Sequence, residues 1–119
     1  MKQIIIILSV LMLTSVAHAD NKVSGEKVFK RCVSCHSFTK TKIGPPLGNI
    51  FDKKAGSVIG FKYSKPMKNS DIIWNDCTFD KFLKKPRKHI KVTKMRFSGL
   101  KKKSHRDAVI KYLKENQVK

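Results

Sequence analysis

Two cysteines separated by two residues and followed at once by a histidine, Cys32-Val33-Ser34-Cys35-His36, form the stretch of this 119-residue chain whose residue types and spacing dictate a chemistry. Thiols at that spacing reach the two vinyl groups of one porphyrin and can close a thioether on each, while the adjacent histidine offers a ring nitrogen to the iron. The pattern predicts one covalently bound haem c, with Cys32 and Cys35 as anchors and His36 as an axial iron ligand. An iron that passes electrons needs a second axial ligand. Met67, Met95, His89, His105 and a deprotonated lysine are the candidates. Methionine is favoured, because a soft, neutral thioether stabilises ferrous iron and raises the potential. Composition does not choose between Met67 and Met95.

Other uses of the motif fit less well. A thioredoxin-like oxidoreductase needs the alternating strands of an α/β sequence, which are missing, and cysteines sealed in thioethers cannot cycle as a disulfide. A zinc module needs a second ligand pair, for which Cys77 and His89 are poorly spaced. A haem protein with an open distal site, peroxidase-like or gas-binding, is the nearest alternative.

The elements that must position these groups read as short helices joined by loops. Ser24 can cap a first helix that crosses Val28, Phe29, Cys32 and Val33, with Glu26 in its first turn. Residues 39–60, rich in glycine and lysine and holding Pro45-Pro46, lack a helical period; they predict a long loop held by its surroundings. Short helices are expected around Ser64–Asn69 and Asn75–Lys85, the second stopped by Pro86 with Phe79, Phe82 and Leu83 on one face. Ser104 and Asp107 read as a capping box opening a last helix through Ala108, Val109, Tyr112 and Leu113. The fold class is all-α.

Lys2, the apolar stretch from Ile4 to Val16 and the small-x-small Ala17-His18-Ala19 form a secretion signal with a cleavage site. The expected organisation is a cleaved signal over 1–19 and one domain over 20–119, placing the protein in the bacterial periplasm. So small a domain buries little apolar surface alone, and a haem would supply the missing apolar centre. The formal charge of +19 is a solubility and steering property first. The lysines are spread along the chain without a nucleic-acid motif, so no nucleic-acid partner is expected. The run Lys101-Lys102-Lys103 reads as a solvated loop. Cys77 is left as a lone thiol, expected as a small buried residue on a helix.

The blocks Gly25-x-x-x-Phe29, Gly44-Pro45-x-Leu47, Lys54-Ala55-Gly56 and Gly60-Phe61-x-Tyr63-Ser64 flank and follow the haem motif. Ile73-Trp74, Phe82-Leu83-x-x-Pro86 and Thr93-Lys94-Met95-x-Phe97-x-Gly99 complete the series. Together, from Gly25 to Leu113, they resemble the class I cytochromes c, of the bacterial soluble type similar to mitochondrial cytochrome c. The resemblance implies His36 as proximal and Met95 as distal ligand. It implies that the Pro45 carbonyl holds the other His36 nitrogen, and that Tyr63, Trp74 and Thr93 surround the haem and its propionates. Gly25 would let the first helix approach the last, with Phe29 and Tyr112 as the packing pair. The implied protein is a monomeric electron carrier and not an enzyme, running from a quinol–cytochrome c reductase to a terminal oxidase. Lys27, Lys42, Lys94 and Lys102 would steer it onto acidic docking faces, with transient encounters at the membrane surface.

Five positions depart from the family. Lys91-Val92 replaces the common Pro-Gly before Thr-Lys-Met, removing a fixed φ and a permissive glycine. Lys53 stands where an arginine is frequent, giving a point charge in place of a planar fork. Phe82 stands where many relatives have a tyrosine, and Met67 where mitochondrial relatives have asparagine.

Overall fold

A computed structural model describes residues 22–118, so the expected signal over 1–19 lies outside the described residues. Five helices follow one another: α1 (Gly25–Phe29), α2 (Lys65–Lys68), α3 (Asp76–Lys84), α4 (Pro86–His89) and α5 (Lys103–Glu115). Among the described residues there is no strand, only an isolated antiparallel bridge between Lys54 and Ile73. The all-α expectation holds. No described helix is long and apolar enough to cross a membrane.

The caps explain most boundaries. The Ser24 hydroxyl accepts from the Lys27 amide, and α1 begins at Gly25. It ends at Phe29, sooner than expected, and irregular turns carry the chain through Cys32 and Cys35. Their amide bonds run mostly three residues back, Arg31 to Val28 and Cys32 to Phe29, which tightens the coil. The Ser64 side chain caps α2, with Pro66 in its first turn where the missing N–H costs nothing. Asn75 and Thr78 form a reciprocal capping box at the start of α3, with both bonds at 2.9 Å. Pro86 stops α3 and itself opens α4, a turn of helix the sequence reading did not anticipate.

The last helix corrects the expected box. It starts at Lys103, with Lys102 as N-cap and no side-chain cap bond, so Ser104 lies inside the helix. Asp107 instead accepts from Lys103, one turn earlier, at 2.8 Å. Only Lys101 and Lys102 of the lysine run therefore lie outside the helix.

The first and last helices meet as expected. A methyl group on Gly25 would collide with the Ala108 carbonyl and lie 2.6 Å from Tyr112 Cβ, so glycine is what permits the contact. Phe29 and Tyr112 pack at 5.3 Å between ring centroids, and Phe38 joins them, stacked at 5.0 Å on Phe29. Residues 39–60 are held at several points. Gly48 donates to Phe38, Asp52 to Trp74, Ala55 to Ile72, and Ile50 to the Gln117 side chain. Gln117 also donates to the Leu47 carbonyl at 2.8 Å, so the end of the chain secures the loop.

A candidate haem site

Cys32, Cys35, His36, Pro45, Tyr63, Trp74, Thr93 and Met95 all line one cavity of about 480 Å³. These positions span more than sixty residues of sequence and come from five separate segments. The remaining walls are largely apolar, including Leu47, Ile50, Phe79, Phe82, Leu83 and Leu100. Size and lining suit one bulky apolar group fixed by a few polar contacts.

The turns after α1 present Cys32 and Cys35, both half-buried, to this cavity. Burial raises the Cys32 pKa, with the Arg31 cation opposing it. His36 follows, and its Nδ1 lies 2.8 Å from the Pro45 carbonyl. A carbonyl only accepts, so Nδ1 carries the proton and donates, leaving the Nε2 lone pair free. Burial, with the nearby Lys42 adding to it, lowers the His36 pKa against the pull of the Pro45 bond, which keeps the ring neutral. A methyl on Gly44 would lie 2.7 Å from Nδ1, so the bare backbone of Gly44 supports the ring. Gly44-Pro45 was the sequence signal for this contact, but the steric role of the glycine was missed.

The second wall comes from the segment after α4. Thr93 accepts from the Met95 amide at 3.4 Å, and the Lys94 ammonium donates to the Lys62 carbonyl at 2.9 Å. Arg31 lies over the Phe97 ring at 5.2 Å and so ties the cysteine segment to the methionine segment. Met67, buried on α2, lines the same cavity, as does Lys53. Both methionines named from the sequence therefore reach the site, whereas His89 and His105 do not line it.

Trp74 is buried and stacks on Phe79 at 4.6 Å with the planes 10° apart, and tilts against Phe82 at 5.2 Å. Its backbone exchanges bonds with Asp52 and Lys53, which is how one short bridge fixes both Lys53 and Trp74 at the cavity. Burial raises the Tyr63 pKa, the Val58 backbone opposing, so its hydroxyl stays protonated and can donate. The donor set matches a haem: two thiols and a free imidazole nitrogen on one side, thioethers within reach, and hydroxyl and indole donors for carboxylates. Arg31, Lys53, Lys54, Lys94 and Arg96 also line the cavity, without a single carboxylate among the lining residues.

Away from the cavity, two further points bear on the expectations. Cys77 sits on α3 as foreseen but is exposed, because position 77 falls on the solvent side of a helix whose buried face is Phe79, Phe82 and Leu83. Arg106, which the sequence reading passed over, is buried and donates to Asp80, Leu100 and Lys101.

A family model described as cytochrome c matches residues 23–117. A cytochrome c2 of Afifella marina is 42% identical over 101 residues, covering 80% of this chain and 82% of its own length. A cytochrome c of Nigella damascena is 40% identical over 104 residues, covering 84% and 94%. Among solved structures, cytochrome cH from Methylobacterium extorquens superposes with a TM-score of 0.74 at 36% identity, covering 76% of this chain and 94% of that one.

Proposed function

The chain belongs to the cytochrome c family, and from that premise we propose that it is a bacterial periplasmic shuttle between a quinol–cytochrome c reductase and a terminal oxidase. Its class is settled by kinship: an electron carrier rather than an enzyme, with the class I fold and one covalent haem c. The route, the compartment, the monomeric state and the roles of individual residues are our reading. The observation that carries it is the convergence of Cys32, Cys35, His36 and Met95 on one apolar cavity, with His36 Nδ1 already committed to Pro45.

In this reading Cys32 and Cys35 would hold the haem through thioethers, and His36 and Met95 would ligate its iron. The bound haem supplies a one-electron iron couple. The Pro45 carbonyl fixes the tautomer and plane of His36, so the ligand does not reorient when the charge at the iron changes. Tyr63, Trp74 and Thr93 supply donors for the propionates, whose burial would otherwise be costly. Phe79, Phe82 and Leu83 keep water from the site and limit the solvent that must rearrange per electron. Cations at the cavity mouth favour acidic partners in brief, salt-sensitive encounters. Two of the four lysines expected to steer docking, Lys42 and Lys94, are tied to the backbone carbonyls of Val33 and Lys62. Their charges are thus positioned before a partner arrives.

Visible spectra of the oxidised and reduced holoprotein test the ligation. A low-spin c-type spectrum with the weak far-red sulfur-to-iron band is expected, and Met95→Ala should abolish that band. Persistence of the band in Met95→Ala would transfer the role to Met67. Carbon monoxide binding to the reduced native protein would favour an open distal site instead. The rate of reduction by a membrane reductase should fall steeply between low and physiological ionic strength, and a flat profile would remove the steering role of the lysines.

A further inference from the structure

We infer that Val92 is a positioning residue that stores backbone strain in the segment bearing Met95 and thereby sets how readily that segment leaves the iron. The inference rests on the reading of Met95 as the distal ligand. Val92 has φ +58°, the left-handed region that glycine enters freely and a β-branched residue enters only against its own side chain. The other non-glycine residues at positive φ are Asp52 and Asp71, a type that tolerates this conformation better. Val92 obtains no packing in exchange, since its side chain is 78% exposed.

The segment downstream is weakly held. The Thr93 amide reaches the Ile90 carbonyl at 3.3 Å, and the Met95 amide reaches Thr93 Oγ1 at 3.4 Å, both long for N–H···O bonds. Among the described residues, the Met95 amide is alone among those of 94–99 in having a protein partner, and the next firm backbone tie is Leu100 to Leu83 at 2.7 Å. Lys94 to Lys62 is an exposed bond that water can replace. Relaxing Val92 into an ordinary backbone region means rotating the chain three residues before the Met95 thioether and one before Thr93, whose hydroxyl accepts the Met95 amide bond. The strain is released when the segment opens, so it favours opening. Glycine at 92 removes that bias, partly offset by the greater freedom glycine has in the open state.

The test uses holoproteins: wild type, Val92→Gly and Val92→Ala. Hydrogen exchange at the amides of 93–97 reads local opening, imidazole binding to the ferric iron reads departure of Met95, and guanidinium unfolding reads global stability. In Val92→Gly, exchange at 93–97 and the rate of imidazole entry should both fall about fivefold, with Val92→Ala in between. Those changes should exceed any change in amides of α1 and α5, which a merely global effect would move equally. Exchange and imidazole entry within twofold of wild type in Val92→Gly would overturn the inference. Failure of the underlying reading is distinguishable: a wild type lacking the sulfur-to-iron band would unseat Met95 as ligand, while exchange at 93–97 would still report the strain.

Discussion

Replacing Arg106 by methionine separates a buried ion pair from the surface pairs that share its helix. Methionine keeps much of the aliphatic stem and removes the guanidinium. Arg106 Nη1 donates to Leu100 and Lys101 at 2.8 Å each, and Nε donates to Asp80 at 2.7 Å. The bond to Leu100 is buried, and losing its donor leaves a carbonyl unsatisfied, at a cost of about 2 kcal/mol. The bond to Lys101 is partly exposed, and water recovers part of it, leaving about 1 kcal/mol. The Asp80 side chain is 31% exposed against 6% for Arg106, so the freed carboxylate rehydrates and adds little. The expected loss is about 3 kcal/mol, or roughly 1 M in guanidinium midpoint at a slope of about 3 kcal/mol/M.

Lys103→Met supplies the contrast on the same helix. Lys103 pairs with Asp107 at 2.8 Å, but the two side chains are 69% and 55% exposed. Such pairs are worth well under 1 kcal/mol, and a lysine in the first turn of a helix opposes the dipole. Lys103→Met should therefore leave the guanidinium midpoint close to that of wild type. Both holoproteins can be unfolded in guanidinium and followed by fluorescence of Trp74, the single tryptophan, which the haem quenches while the chain is folded. An Arg106→Met loss below about 1 kcal/mol, or a Lys103→Met loss of similar size, would refute the reasoning.

Gly44→Ala pushes a methyl against the His36 ring, 2.7 Å from Nδ1, so the ring must tilt from Pro45. The outcome should be a loss of about 1–3 kcal/mol with a perturbed low-spin spectrum; an unchanged spectrum and midpoint would show that the ring has room. Cys77 is exposed, so a maleimide should label the native holoprotein once, at Cys77, while thioether-bonded Cys32 and Cys35 stay unlabelled. Mass spectrometry showing a second label, or none, would contradict respectively the thioethers or the exposure.

Much of this arrangement was legible because its signals are local or fixed by chemistry. Ser24, Ser64 and Asn75 stand at three expected helix starts, and the side chain of each accepts from the amide three residues on. The haem motif and Gly44-Pro45 named one side of the cavity before any fold was known. What stayed hidden depends on partners distant in sequence or on competition between local rules. The Ser104–Asp107 box lost because Asp107 has a cation one turn earlier, and Lys103 takes it. The first helix stops at Phe29, and turns bonded mostly three residues back carry the two cysteines and His36 to one cavity. Cys77 was assigned by residue type alone, but α3 buries Phe79, Phe82 and Leu83 and turns position 77 outward. Arg106 is one of many cations in the sequence, and nothing local distinguishes the one that α3 and the chain at 100–101 enclose.

The pairing of charges differs between the helices and the cavity. On α3 and α5 each acid has a cation within reach: Asp76 with Lys114, Asp80 with Arg106, Asp107 with Lys103 and, at 3.8 Å, Glu115 with Lys111. These pairs cancel locally and contribute little field at a distance. At the cavity, of the five lining cations only Lys54 has an acidic partner among the described residues, Asp71 at 2.9 Å, and that aspartate does not itself line the cavity. Arg31, Lys53, Lys94 and Arg96 thus leave positive charge at the cavity with no acidic partner among the described residues, and that charge would have two tasks that pull the same way. It would offset the carboxylates of a bound haem and, in the proposed shuttle role, orient the protein toward an acidic face. A positive charge near the iron also favours the reduced over the oxidised state. Lysines proposed to steer docking would thus also help to set the potential, and a substitution that weakens steering should also shift the couple.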